Sequence, residues 1–159
     1  MIRRALQGFT LIELLVSLAL LGLILSSAAP VVQLNVKREK EQELRRALWQ
    51  IRDAIDAYKK ASDDGYIRKT PDQSGYPPSL QTLVDGVENK RDPNKRKIYF
   101  LRSIPRDPFS TDAELTPSQT WGKRSYASSF TEPSEGDDVY DIYSLSPDTG
   151  INQVPYREW

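Results

Sequence analysis

The sequence predicts an α+β fold: a long N-terminal helix, half apolar and half amphipathic, packed on a small antiparallel β-sheet. Three observations carry this prediction. No charged residue occurs from Leu14 to Val36. Apolar residues then recur at helical spacing from Leu44 to Ala61, the stripe of a surface helix that faces a core. After Gly65 short runs rich in Tyr, Val and Ile alternate with turns that contain Pro and Gly. The length of 159 residues suits one compact domain with an appended helix.

The apolar run comes first. At about 1.5 Å per residue, a helix over Leu14 to Val36 spans the roughly 30 Å hydrocarbon core of a bilayer. Arg3 and Arg4 precede it, as the positive-inside rule expects of a cytoplasmic N-terminus, which puts the remainder across the membrane. Glu13, just inside the run, is the anomaly. A carboxylate at the centre of a membrane helix costs on the order of 2.5–3.5 kcal/mol and marks a partner or a function. Two plainer readings compete. One is a secretory signal cut near Ser27-Ala28-Ala29, which would leave Pro30 as the first residue. The other is an uncleaved anchor.

Lys37 to Glu43 is densely charged with mixed sign, and pairs such as Lys37 and Glu41 support continuation of the helix. The stripe of Leu44, Ala47, Leu48, Ile51, Ala54, Ile55, Tyr58 and Ala61 follows, with Arg45, Arg46, Arg52, Asp53, Asp56 and Lys59 on the other face. One helix is therefore expected from about Thr10 to Ser62. Gly22 and Pro30 interrupt it, and a proline inside a helix costs about 3 kcal/mol. A kink and local melting both remain open there.

Asp63-Asp64-Gly65 supplies the stop. Pro77-Pro78 opens a short helix whose Leu80, Leu83 and Val84 face the stripe. Asp85 to Lys97 reads as an exposed loop, and Ile98 to Leu101 as a strand or buried extended piece. Asp107-Pro108 and Thr116-Pro117 mark turns. Lys123 to Ser129 and Val139 to Leu145 are the strand candidates, joined by the acidic loop Thr131 to Asp138. The tail from Ser146 is irregular, with Trp159 folding back over the sheet or contacting a neighbouring molecule.

Composition excludes several functions. Lys plus Arg number 22, as do Asp plus Glu, so no basic footprint for nucleic acid exists. The chain has no Cys and no His, which removes disulfides, thiolate chemistry and the commonest general base and metal ligand. No phosphate loop or metalloprotease helix motif is present, so a non-enzymatic role is expected.

Gly8-Phe9-Thr10-Leu11-Ile12-Glu13-Leu14-Leu15-Val16 resembles the processing site and anchor of the type IV pilin superfamily. Later segments are similar to the major pseudopilin branch of type II secretion systems. They are Tyr76 to Val84, Ile104-Pro105-Arg106-Asp107-Pro108-Phe109, Trp121 to Tyr126 and Tyr140 to Leu145.

The resemblance implies a leader at 1–8, a transmembrane and assembly helix at 9–36 and a periplasmic globular pseudopilin domain at 37–159. A prepilin peptidase would cut between Gly8 and Phe9 and methylate the amine of Phe9. The cut removes Arg3 and Arg4, leaving 20 basic against 22 acidic side chains. Glu13 would then pair with the terminal amine of a neighbouring copy, which offsets part of its desolvation. Pilin-like sequences often carry Gly and Pro at the positions of Gly22 and Pro30, which implies loss of helicity between them on assembly.

The same resemblance implies a subunit polymerising into a periplasmic filament. Its partners are copies of itself, minor pseudopilins, an inner-membrane secretion platform and membrane lipid. The location is the bacterial inner membrane, crossed once, with the C-terminal domain in the periplasm. A type IV pilin, a minor pseudopilin and an anchored binding domain that never polymerises are the alternatives.

It further implies calcium in the loop after the last strand, with Asp148, Asp141 and Asn152 as ligands. The second acid of the family's tail has no counterpart, since Glu158 is the only acid after Asp148. An ordinary turn at Asp148 and Gly150 is the competing reading.

Overall fold

The computed structural model describes residues 10–159, and of 25–31 the backbone only. Two compact units divide the chain, Met1–Glu39 and Lys40–Trp159. Helix α1 runs Leu11–Asp63, close to the expected bounds, and neither Gly22 nor Pro30 ends it. A β-carbon added at Gly22 would meet nothing within 4 Å, so no contact inside the described chain requires glycine there.

In the first unit, the start of α1 is capped. Thr10 Oγ1 accepts from the Glu13 backbone amide at 3.3 Å, and Thr10 O accepts from that of Leu14 at 3.2 Å. The hydroxyl thereby serves one of the orphan donors of the first turn. Among the described residues, no helix is long and apolar enough to cross a membrane.

In the second unit, the stripe of α1 forms the centre of the core. Leu44, Leu48, Ile51, Ile55 and Tyr58 are buried with Leu80, Leu83, Trp121, Ile142 and Tyr156. Of the expected stripe only Ala61 stays partly exposed. The helix ends in a Schellman arrangement: Tyr66 N bonds Ala61 O at 2.9 Å and Gly65 N bonds Ser62 O at 3.0 Å. Gly65 has φ of +77°, a conformation that glycine adopts without steric penalty. Helix α2, Leu80–Asp85, begins one step later than the two prolines suggest, because Ser79 caps it through Thr82 N.

The single small sheet expected from the sequence is two separate two-stranded antiparallel ladders. The first pairs β1, Val87–Glu88, with β2, Lys97–Ile98, inside a segment read as loop. The apolar run beginning at Ile98 is mostly not strand. Phe100 N and Leu101 N both bond Leu83 O, at 3.1 and 3.0 Å, so α2 rather than a ladder satisfies it.

The second ladder pairs β3, Trp121–Arg124, with β4, Asp141–Ser144. The first strand candidate is thus shifted toward the N-terminus, since Ser125 N turns away to Ser134 O at 3.0 Å. Gly122 faces Tyr143 across the ladder, and that ring lies where a β-carbon would stand. The turn at Asp107 is anchored from inside. Its buried carboxylate accepts from Ser144 Oγ at 2.6 Å and Phe109 N at 2.8 Å.

Candidate assembly site

Gly8 and Phe9 lie outside the described residues, as does the expected leader at 1–8. Glu13 is the third residue of α1, where a negative side chain complements the partial positive charge of the helix start. It stands among Leu11, Ile12, Leu14, Leu15, Val16 and Leu18, all exposed. Leu20, Leu21, Leu23, Ile24, Val32, Leu34 and Val36 are exposed as well. So long an uncovered apolar face is the mark of a surface that binds another molecule or a membrane. Thr10 and Glu13 have capping-box spacing, a signal present in the sequence but not used there.

The proposed calcium ligands can be tested by their bonding. Asp141 Oδ1 is 2.8 Å from Arg52 Nε and its Oδ2 is 3.3 Å from Arg124 Nη2. Asn152 Oδ1 accepts from Val154 N at 3.2 Å, closing a local turn. Asp148 O accepts from Tyr156 N at 3.2 Å. Among the described residues, no group of three or more acids, histidines or cysteines could hold a metal. Calcium takes six to eight oxygens. A set in which two arginines already neutralise one carboxylate and an amide closes its own turn does not fit that ion.

What holds this loop is a residue that the sequence left in the charged run. Glu41, only 8% exposed, accepts on Oε1 from Ile151 N at 2.7 Å and from Tyr156 Oη at 2.9 Å. Burial, then the hydrogen bond to Glu41, pushes the Tyr156 phenol well above its ordinary range. Arg52 is the second tie. Its guanidinium bonds Asp141 Oδ1, Ile142 O at 3.1 Å and Trp159 O at 2.8 Å, joining α1 to β4 and the tail. Tyr156 stacks on Phe109 at 4.1 Å and meets Trp159 edge-on at 5.1 Å. The tail therefore packs back onto the core. Glu41 lies three residues before Leu44, in line with the stripe, which is the signal that could have revealed it.

Residues 3–29 match the prokaryotic N-terminal methylation motif. The chain is 29% identical over 111 residues to the type II secretion system core protein G of Vibrio cholerae, covering 69% of this chain and 70% of that protein. It is 26% identical over 143 residues to the protein of the same name from Klebsiella michiganensis, covering 86% and 93%. The counterpart from Pseudomonas aeruginosa is 26% identical over 150 residues, covering 92% and 87%. No solved structure matches the chain. The resemblance to the type IV pilin superfamily, and within it to the major pseudopilin, is shown by these matches.

Proposed function

We propose that this chain is a structural subunit of a type II secretion system, anchored in the inner membrane and polymerising into a periplasmic pseudopilus. The observation that carries the reading is Glu13 within the uncovered apolar face of α1. Sequence adds that no charge follows it until Lys37; over Leu14 to Val36, which includes 25–31 where only the backbone is described, the uncharged run has the length of one bilayer crossing. Peptidase action between Gly8 and Phe9, with methylation of Phe9, would create an ammonium next to the carboxylate of the adjoining copy. An ion pair in low dielectric loses far more when one partner is missing than it contributes to folding of a single chain. Glu13 therefore sets the stagger between copies, since one axial offset brings the amine to it. The type II secretion role of the similar proteins supports the choice of a pseudopilus over a surface pilus.

Mass spectrometry of the membrane-extracted protein tests processing, with Phe9 expected as the methylated first residue. Glu13→Ala tests assembly. The variant is expected in the membrane at normal level, with cross-linked multimers reduced about tenfold or more, as for loss of one partner of a buried pair. A product beginning at Met1, or normal multimers from the variant, would overturn the reading.

A further inference from the structure

Resting on that filament reading, we propose where the globular units touch: Trp49 with Arg45 and Arg46 of one copy docks on Tyr126 and Phe130 with Glu132 and Asp137 of the next. Trp49 is 72% exposed on α1, on a helix whose opposite side builds the core. An exposed Trp on a rigid element is the side chain that most often anchors an interface. Arg45 and Arg46 lie four and three residues before it, on the same side of the helix. Among the described residues neither forms an ion pair. Arg46 Nε reaches only its own helix, at Gln42 O, and the Arg45 guanidinium lies over the Trp159 ring at 4.5 Å. Asp53 flanks Trp49 on the far side and Arg52 there is paired with Asp141, so the positive charge left without an ion pair lies on the N-terminal flank.

The complementary patch lies between β3 and β4. Tyr126 is 62% exposed and Phe130 67%. This segment is held in place before any partner arrives. Asp138 Oδ1 accepts from Tyr126 N at 2.8 Å, and the Tyr126 ring packs at 5.6 Å on both Tyr76 and Tyr140. Glu132, Glu135 and Asp137 surround it, all exposed. Glu135 is paired with Lys123 at 3.3 Å, and Arg124, 5.9 Å from the Phe130 ring, is paired with Asp141 at 3.3 Å, which leaves Glu132 and Asp137 to supply the negative field. An aromatic with basic neighbours thus matches aromatics with acidic neighbours, the arrangement that steers and orients partners.

The two patches stand at different levels. Tyr126 rests on Tyr76, whose ring lies 5.5 Å from Lys59 Nζ. Lys59 is ten residues beyond Trp49, or about 15 Å along α1. Copies that share an orientation, as a common anchor demands, therefore meet with an axial offset. Such a head-to-tail contact repeats instead of closing.

The chain has no cysteine, so Trp49→Cys combined with Phe130→Cys in the full-length membrane protein reports the contact alone. Mild oxidation is expected to give a ladder of disulfide-linked multimers from the double variant and no ladder from either single variant. Arg45→Glu with Arg46→Glu in that background should weaken the ladder about tenfold, and adding Glu132→Lys with Asp137→Lys should restore it. No linkage between positions 49 and 130, alongside linkage of cysteines introduced at Leu18, would overturn this interface and leave the filament reading standing. Failure of both pairs would overturn both. A product that stops at dimers would overturn the head-to-tail geometry, as would failure of the reversed charges to restore the ladder.

Discussion

Tyr156 donates its phenolic hydrogen to Glu41 across 2.9 Å, joining residues 115 positions apart in the chain. The same carboxylate oxygen accepts from Ile151 N at 2.7 Å, so one buried side chain of α1 organises the tail. Removing it takes the carboxylate acceptor from the buried Tyr156 hydroxyl and from the part-buried Ile151 amide, and a buried unsatisfied group costs about 1–3 kcal/mol. Glu41→Ala is expected to destabilise the protein by roughly 2–3 kcal/mol on this basis. Glu41→Gln keeps an acceptor and should lose less. Urea unfolding of the three proteins under identical conditions measures both differences, and equal stability of Glu41→Ala and the parent would remove Glu41 from this role.

High pH attacks the same contact. The Tyr156 phenol is raised above its ordinary value of 10.0, by burial first and by Glu41 second. An acid whose folded pKa exceeds its unfolded one holds its proton more tightly when folded. Its contribution is thus complete below the unfolded pKa and declines as pH climbs beyond about 10. Tyr58 and Tyr76 are raised too, by burial, and contribute in the same direction. Tyr156→Phe leaves those two in place. Its melting temperature should therefore start lower at neutral pH and fall less steeply than the parent's above pH about 10. Parallel curves would show that Tyr156 ionisation is not coupled to folding.

Calcium should be dispensable. Asp141 is neutralised by Arg52 and Arg124, and Glu41 with its two donors orders the loop that a cation would otherwise hold. Melting curves recorded with millimolar calcium and with excess chelator are expected to superimpose. A shift of several degrees on chelation, corresponding to about 1 kcal/mol or more for a domain of this size, would show that an ion belongs there.

The division between what the sequence disclosed and what it withheld follows the range of the interactions. The stripe from Leu44 to Tyr58 was legible because a buried helical face repeats in the chain itself. Gly65 announced the helix end for a local reason also, its left-handed backbone. Strand bounds were less legible. Backbone pairing of Val87 with Ile98 runs through a stretch whose side chains are mostly charged, and no alternation marks it. Arg52 was assigned to the outer face by period alone, yet its length lets it reach back to β4 and Trp159. Glu41 was hidden by its neighbours' charges, since its partners lie at the other end of the chain. At the N-terminus, Glu13 stood out from residue order because a lone acid in an apolar run is conspicuous, whereas the Thr10 hydroxyl that caps the same turn drew no notice.

That hydroxyl bears on what maturation would do. Thr10 serves the Glu13 amide and lies beyond the proposed cut, so this cap would stay with the mature chain. Trimming at the proposed point would discard two arginines and expose a new amine while leaving the helical lattice as it was. At this end of the helix, the step that readies a subunit for the polymer would then be a change of charge and not of fold.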